Sequence, residues 1–115
     1  MTQSSASRPA LQRDYERLRQ SLARTGYISQ GSVVDRSRLH PPRFGYQWTR
    51  KVKGKTVTVA LSESEFRALG QAITNQRKLN QTLREMERIS RRILFIDRSH
   101  RDRPKPLRQK VLGLV

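Results

Sequence analysis

The sequence has no cysteine, only 9 acidic residues among 115, two histidines, and an aromatic content of 6%. Without cysteine there is no disulfide, no thiolate nucleophile and no Cys-based zinc site. Nothing in the chain approaches the roughly 18 uninterrupted apolar residues of a membrane span, and the opening MTQSSASRPALQRDYERLRQ lacks the apolar stretch of an export signal. The expectation is therefore no membrane partner, no export by the general route, and a cytoplasmic location. His40 and His100 stand apart from any nucleophile or paired carboxylate, and no glycine-rich phosphate loop is present. Glu63, Glu65, Glu85 and Glu87 all have capping or helix-pairing explanations, which leaves no carboxylate set for Mg²⁺. The sequence predicts a protein that is not an enzyme and holds no metal or cofactor.

What is present is positive charge. Lys and Arg number 25, giving a formal net charge of +16, while apolar residues make up 34%. A core built from so few apolar groups is small, and self-repulsion works against the compact state unless a polyanion neutralises it. Nucleic acid, an anionic membrane surface or an acidic protein are the partner classes that such a balance admits.

Residues 1–8 are rich in Ser and read as a disordered lead-in, with Ser7 or Arg8 followed by Pro9 marking a helix start. Leu11, Tyr15, Leu18 and Leu22 fall on one helical face and Gly26 stands where a cap would be, so a helix over about residues 9–25 is predicted. YISQGSVV fits an extended arm or a short edge strand, and DRSRLHPPRFG, from Asp35 to Gly45, reads as a basic loop. In YQWTRKVKGKTVTVAL two β-rich runs flank Lys53-Gly54, which predicts a hairpin pairing Val52 with Lys55, Arg50 with Val57, Trp48 with Val59, and Tyr46 with Leu61. Those side chains share one face, and Gln47, Thr49, Lys51, Thr56, Thr58 and Ala60 share the other.

Ser62-Glu63-Ser64-Glu65 is a capping box, so a second helix starts at about residue 63. Phe66, Leu69, Ile73, Leu79, Leu83, Met86, Ile89 and Ile93 carry it to about 95 or 96. Gln76, Asn80 and Ser90 interrupt the seam that a coiled coil would need, so a homodimer through the exposed half of this helix is compatible with the pattern without being required by it. The expected architecture is α+β: a short helix and a hairpin packed on the first half of one long helix. A single domain over 9–96 is followed by a flexible basic tail over 97–115.

Three groups of cations are candidates for contact with a polyanion. Arg36, Arg38, Arg43, Arg50, Lys51, Lys53 and Lys55 lie between Arg36 and Leu61, a run without one acidic residue. Phosphate contacts from such groups release counterions, and a β-ribbon fits a major groove. On the long helix Arg77, Arg84, Arg88 and Arg91 align on one side, and Arg84, Arg88 and Arg92 form a like-charge ladder. An ordinary solvated face with Glu85–Arg88 and Glu87–Arg91 pairs is the alternative reading of that side. The tail adds Arg98, Arg101, Arg103, Lys105, Arg108 and Lys110 against Asp102 alone. Tyr46 and Trp48 lie on the apolar face of the hairpin, which favours packing over base stacking, and Arg50 on that face can cover Trp48.

From GSVV through YQWTRKVKGKTVTVALSESE and the following helix, the chain resembles an uncharacterised family of short basic prokaryotic proteins often encoded near transposase genes. The most specific part is Arg50-Lys51-Val52-Lys53-Gly54-Lys55-Thr56-Val57-Thr58. The resemblance covers about residues 11–95 and implies the same order of helix, turn, strand, hairpin and long helix. Many members carry a cysteine cluster before the hairpin. This chain has DRSRLHPPRFG there, so no metal or redox role carries over.

The functional expectation is a nucleic-acid-binding protein, with DNA favoured over RNA, accessory to a mobile element and associated with the nucleoid. RNA or ribosome binding would use the same charges, and a helical assembly or adaptor protein is the alternative from another class.

Overall fold

The computed structural model describes residues 7–97, Val111 and Gly113. Most of the expected lead-in and nearly all of the expected tail lie outside the described residues. The elements are α1 (Arg8–Leu22), β1 (Ser32–Asp35), a 3-10 turn (Arg36–Arg38), β2 (Tyr46–Val52), β3 (Lys55–Leu61) and α2 (Glu63–Leu94). The protein is α+β. Its described residues form two compact units, one drawn from 7–24 and 80–97 and the other comprising Thr25–Leu79. α2 contributes to both.

In the second unit the strands form one antiparallel sheet in the order β1-β2-β3. The hairpin register is the one its alternation predicts: Tyr46 opposite Leu61, Trp48 opposite Val59, Arg50 opposite Val57, Val52 opposite Lys55. Lys53 at φ 51° and Gly54 at φ 81° make a two-residue turn in which both backbones are left-handed, matching the twist of the strands. Of the two readings of GSVV, the edge strand is the one formed. β1 adds to β2 with Val33 opposite Trp48 and Asp35 opposite Tyr46.

α2 opens on the expected capping box. Ser62 Oγ accepts from the Glu65 amide at 3.2 Å, and Glu65 Oε1 accepts from the Ser62 amide at 2.8 Å. The first turns of the helix lie on the apolar sheet face. Tyr46 stacks on Phe66 with ring centroids 4.4 Å apart, and Gly70 lies against Val33. Ala72 and Ile73 are buried. Segment 25–30 is tied to the same stretch of helix: the Ser29 amide donates to the Ala72 carbonyl at 3.2 Å, and Asn75 Nδ2 donates to the Tyr27 carbonyl at 2.9 Å.

In the first unit, α1 departs from expectation in its end and its partner. Ser7 caps it by accepting from the Ala10 amide at 3.3 Å, but it stops at Leu22 with Ala23 as its right-handed cap, short of Gly26. It belongs with the second half of α2, whereas Phe66 and Gly70 in the first half meet the sheet. Arg8 donates to the Ile93 carbonyl at 3.5 Å and pairs with Asp97 at 2.6 Å, and Leu11, Met86 and Ile89 are buried.

Candidate nucleic-acid interface

The seven cations of the acid-free run are continuous in sequence and divided in space. Arg36, Arg38 and Arg43 belong to the loop that leaves β1 beside the Tyr46 end of β2, whereas Arg50, Lys51, Lys53 and Lys55 surround the turn at its other end. Six residue rises along β2 separate the two groups by about 20 Å. The sheet therefore carries a cationic cluster at each end.

The loop cluster is built on backbone bonds. The Arg36 amide donates to the Gly45 carbonyl at 2.9 Å, and the Arg36 carbonyl accepts from Leu39 at 3.1 Å and Arg43 at 3.0 Å. Asp35 Oδ1 accepts from the Ser37 hydroxyl at 2.7 Å and the Ser37 amide at 3.0 Å. The Ser37 hydroxyl, then its amide and more weakly Arg38, hold the Asp35 carboxyl below its ordinary pKa. Arg38 and Arg43 are exposed, while Arg36 is half-buried. Gly45, at φ 100°, turns the chain into β2, a backbone that a side chain would strain.

At the hairpin end Arg50, Lys51, Lys53 and Lys55 are all exposed. Arg50 lies over the Trp48 ring, its guanidinium carbon 4.7 Å from the ring centroid, within cation–π range. On the polar face a shallow hollow of about 430 Å³ opens among Ser32, Thr49, Lys51 and Thr56. Three hydroxyls beside an ammonium form a donor set suited to phosphate oxygens.

Each described carboxylate is engaged, including Asp35 and Glu63, which stand beside Arg43 at the loop end of the sheet. Asp14 pairs with Arg17, Glu16 with Arg19, Glu63 with Arg67, Glu85 with Arg88, Glu87 with Arg91 and Asp97 with Arg8, while Asp35 and Glu65 serve turn and helix caps. Arg43, Arg50, Lys51, Lys53 and Lys55 pair with none of the described carboxylates.

The helix arginines divide. Arg88 and Arg91 make the glutamate pairs that their spacing allows, and Arg91 Nε also donates to the Gly113 carbonyl at 2.6 Å. Arg77 and Arg84 are exposed, and Arg92 is half-buried. Arg98, Arg101, Arg103 and Lys105 lie outside the described residues. Met86 and Ile89 are buried within the chain, which withdraws them from a seam with a second copy, whereas Leu83 remains 41% exposed.

Tyr46 and Trp48 are used internally, Tyr46 on Phe66 and Trp48 through Nε1–H to the Gln30 carbonyl at 2.9 Å. The rings that stand in solvent are two that their spacing gave no reason to single out: Phe44 at 98% exposure and Tyr27 at 92%. For Phe44 the available signal was an aromatic beside Arg43 in a proline-containing loop, where no apolar pattern offers it a core. His40 is exposed, and no described helix is long and apolar enough to cross a membrane. Comparison with protein families, curated proteins and solved structures gave no match.

Proposed function

We propose that this protein binds duplex DNA through the sheet and the cations at its two ends. The observation that carries this reading is the separation of charge: described carboxylates are consumed in ion pairs and caps, while the exposed cations of the hairpin are left without one. Such a field neutralises phosphates and releases their counterions. The outer strands of a three-stranded sheet lie about 10 Å apart, within a major groove about 12 Å wide. The polar face offers Gln47, Thr49, Lys51, Thr56 and Thr58 to that groove, and Lys51, Ser32 and the threonines to the backbone. An accessory role on mobile-element DNA is the part of this reading that rests on the sequence resemblance alone, with no family match beside it.

The test is duplex binding across a salt series. Four hairpin phosphate contacts give a slope of log K against log[salt] near −4, steeper if the loop cluster joins them. Absence of binding at low salt, or an affinity indifferent to salt, would sink the reading.

A further inference from the structure

Phe44 forms one wall of a hollow of about 460 Å³ at the loop end of the sheet, which Tyr46, Leu61, Ser37, Arg43 and Ser62 also line. Asp35 and Glu63 stand at the same hollow. Its parts differ in chemistry. Phe44 presents a whole aromatic ring to water, Tyr46 is held in place by its stack on Phe66, and Leu61 adds an apolar wall. Ser37, Ser62 and the two carboxylates supply a polar edge, and Arg43 adds a cation. A phosphate would meet two carboxylates here, so phosphate is a poor occupant. A flat heterocycle is a good one: its faces take the aromatic and apolar walls, and its amino groups take the acceptors.

We propose that this hollow receives an unpaired nucleobase of the bound DNA strand, stacked on Phe44, while Arg43 takes the adjoining phosphate. The proposal rests on the DNA-binding reading above and adds a preference that the hairpin cations cannot supply: for duplexes that end in, or contain, an unpaired base. Adenine, cytosine and guanine carry exocyclic amino groups for Asp35 and Glu63, and thymine does not. Thymine is accordingly the weakest occupant.

The experiment compares the full chain and Phe44→Ala on a blunt duplex and on the same duplex with a short 3′ or 5′ overhang. 2-Aminopurine stands at the first unpaired position for fluorescence. Because Phe44 is almost wholly exposed, its removal leaves the fold intact, and matching circular dichroism spectra verify this. The expected result is tighter wild-type binding to the overhang duplex with quenching of 2-aminopurine. Phe44→Ala loses roughly tenfold in affinity for that duplex, loses the quench, and binds the blunt duplex as wild type does. Equal wild-type affinity for blunt and overhang duplexes, or an unchanged quench in Phe44→Ala, overturns the pocket and leaves the duplex reading standing. Failure of the wild type to bind either duplex overturns both.

Discussion

Arg50 and Trp48 form a cation–π pair at the hairpin end of the sheet, with the guanidinium carbon 4.7 Å from the ring centroid. Trp48 is the single tryptophan of the chain, so its emission reports directly on what happens to Arg50. Adding duplex DNA at low salt should change Trp48 fluorescence, and raising the salt should reverse the change. Arg50→Ala should alter the free-state emission and remove the response. An unaltered spectrum at saturating DNA would place Arg50 outside the interface.

If the proposed DNA binding holds, the hairpin cations should act nearly additively, each making its own phosphate contact. Replacing Lys51, Lys53 and Lys55 together by Gln is expected to lower the steepness of the salt dependence by about three. Replacing Arg88 and Arg91 should change it little, because both already pair with glutamates. A triple variant with the wild-type slope would move the interface away from the hairpin.

Gly31 precedes β1 at φ 102°, and a Cβ there would collide with Trp48 Nε1 and the Thr49 carbonyl. Gly45 has a similar φ of 100° but open space around it. Gly31→Ala therefore combines strain with a clash and should cost about 2 kcal/mol or more, whereas Gly45→Ala carries the strain alone. Thermal unfolding should show a fall on the order of 10 °C for Gly31→Ala and a smaller one for Gly45→Ala. The reverse order would mean that Trp48 is not seated against Gly31.

Asp35 gives the 36–45 loop a pH dependence of known sign. Its native pKa is lowered, so the stabilisation is complete above the ordinary carboxylate value near about 3.9 and is lost as pH falls through the lowered native value. The protection of the Ser37 amide, measured by NMR as its exchange rate relative to the intrinsic rate at each pH, should hold from neutral pH downward and fall only in that acidic window. Asp35→Asn should flatten the profile, and a loss of protection already near neutral pH would contradict the assignment.

At the helix ends two interactions of different worth can be ranked. The Ser62 cap satisfies an otherwise orphaned backbone amide, and Ser62→Ala should cost about 1 kcal/mol in denaturant unfolding. Arg8–Asp97 is an ion pair with its carboxylate 86% exposed, and Asp97→Asn should cost well under about 1 kcal/mol.

The contrast between hairpin and α1 shows which parts of this fold were legible in the sequence. The hairpin register follows from strict alternation about Lys53-Gly54, and the start of α2 from Ser62 and Glu65, because both are decided by residues a few positions apart. The partner of α1 is set by the burial of Leu11 in the unit that also buries Met86 and Ile89, with Arg8 meeting Ile93 and Asp97 more than eighty positions away, and no local periodicity encodes that. The candidate site divides in the same manner. Its charge could be counted along the chain, but the separation of that charge to the two ends of β2 depends on where the loop closes, through Arg36 and Gly45. The exposure of Phe44 depends on that closure too.

β3 is one edge of the sheet, as β1 is the other, and among the described residues no strand pairs with the outer side of its Lys-Thr-Val-Thr-Val-Ala-Leu segment. Lys55 at the start of that edge and Lys53 in the turn beside it place like charges where two such edges would meet. A polyanion that engages these lysines cancels the repulsion, so ligand binding and colloidal stability draw on the same side chains. Mixtures at the ratio that brings net charge to zero should then be the least soluble, with clarity returning when either component is in excess.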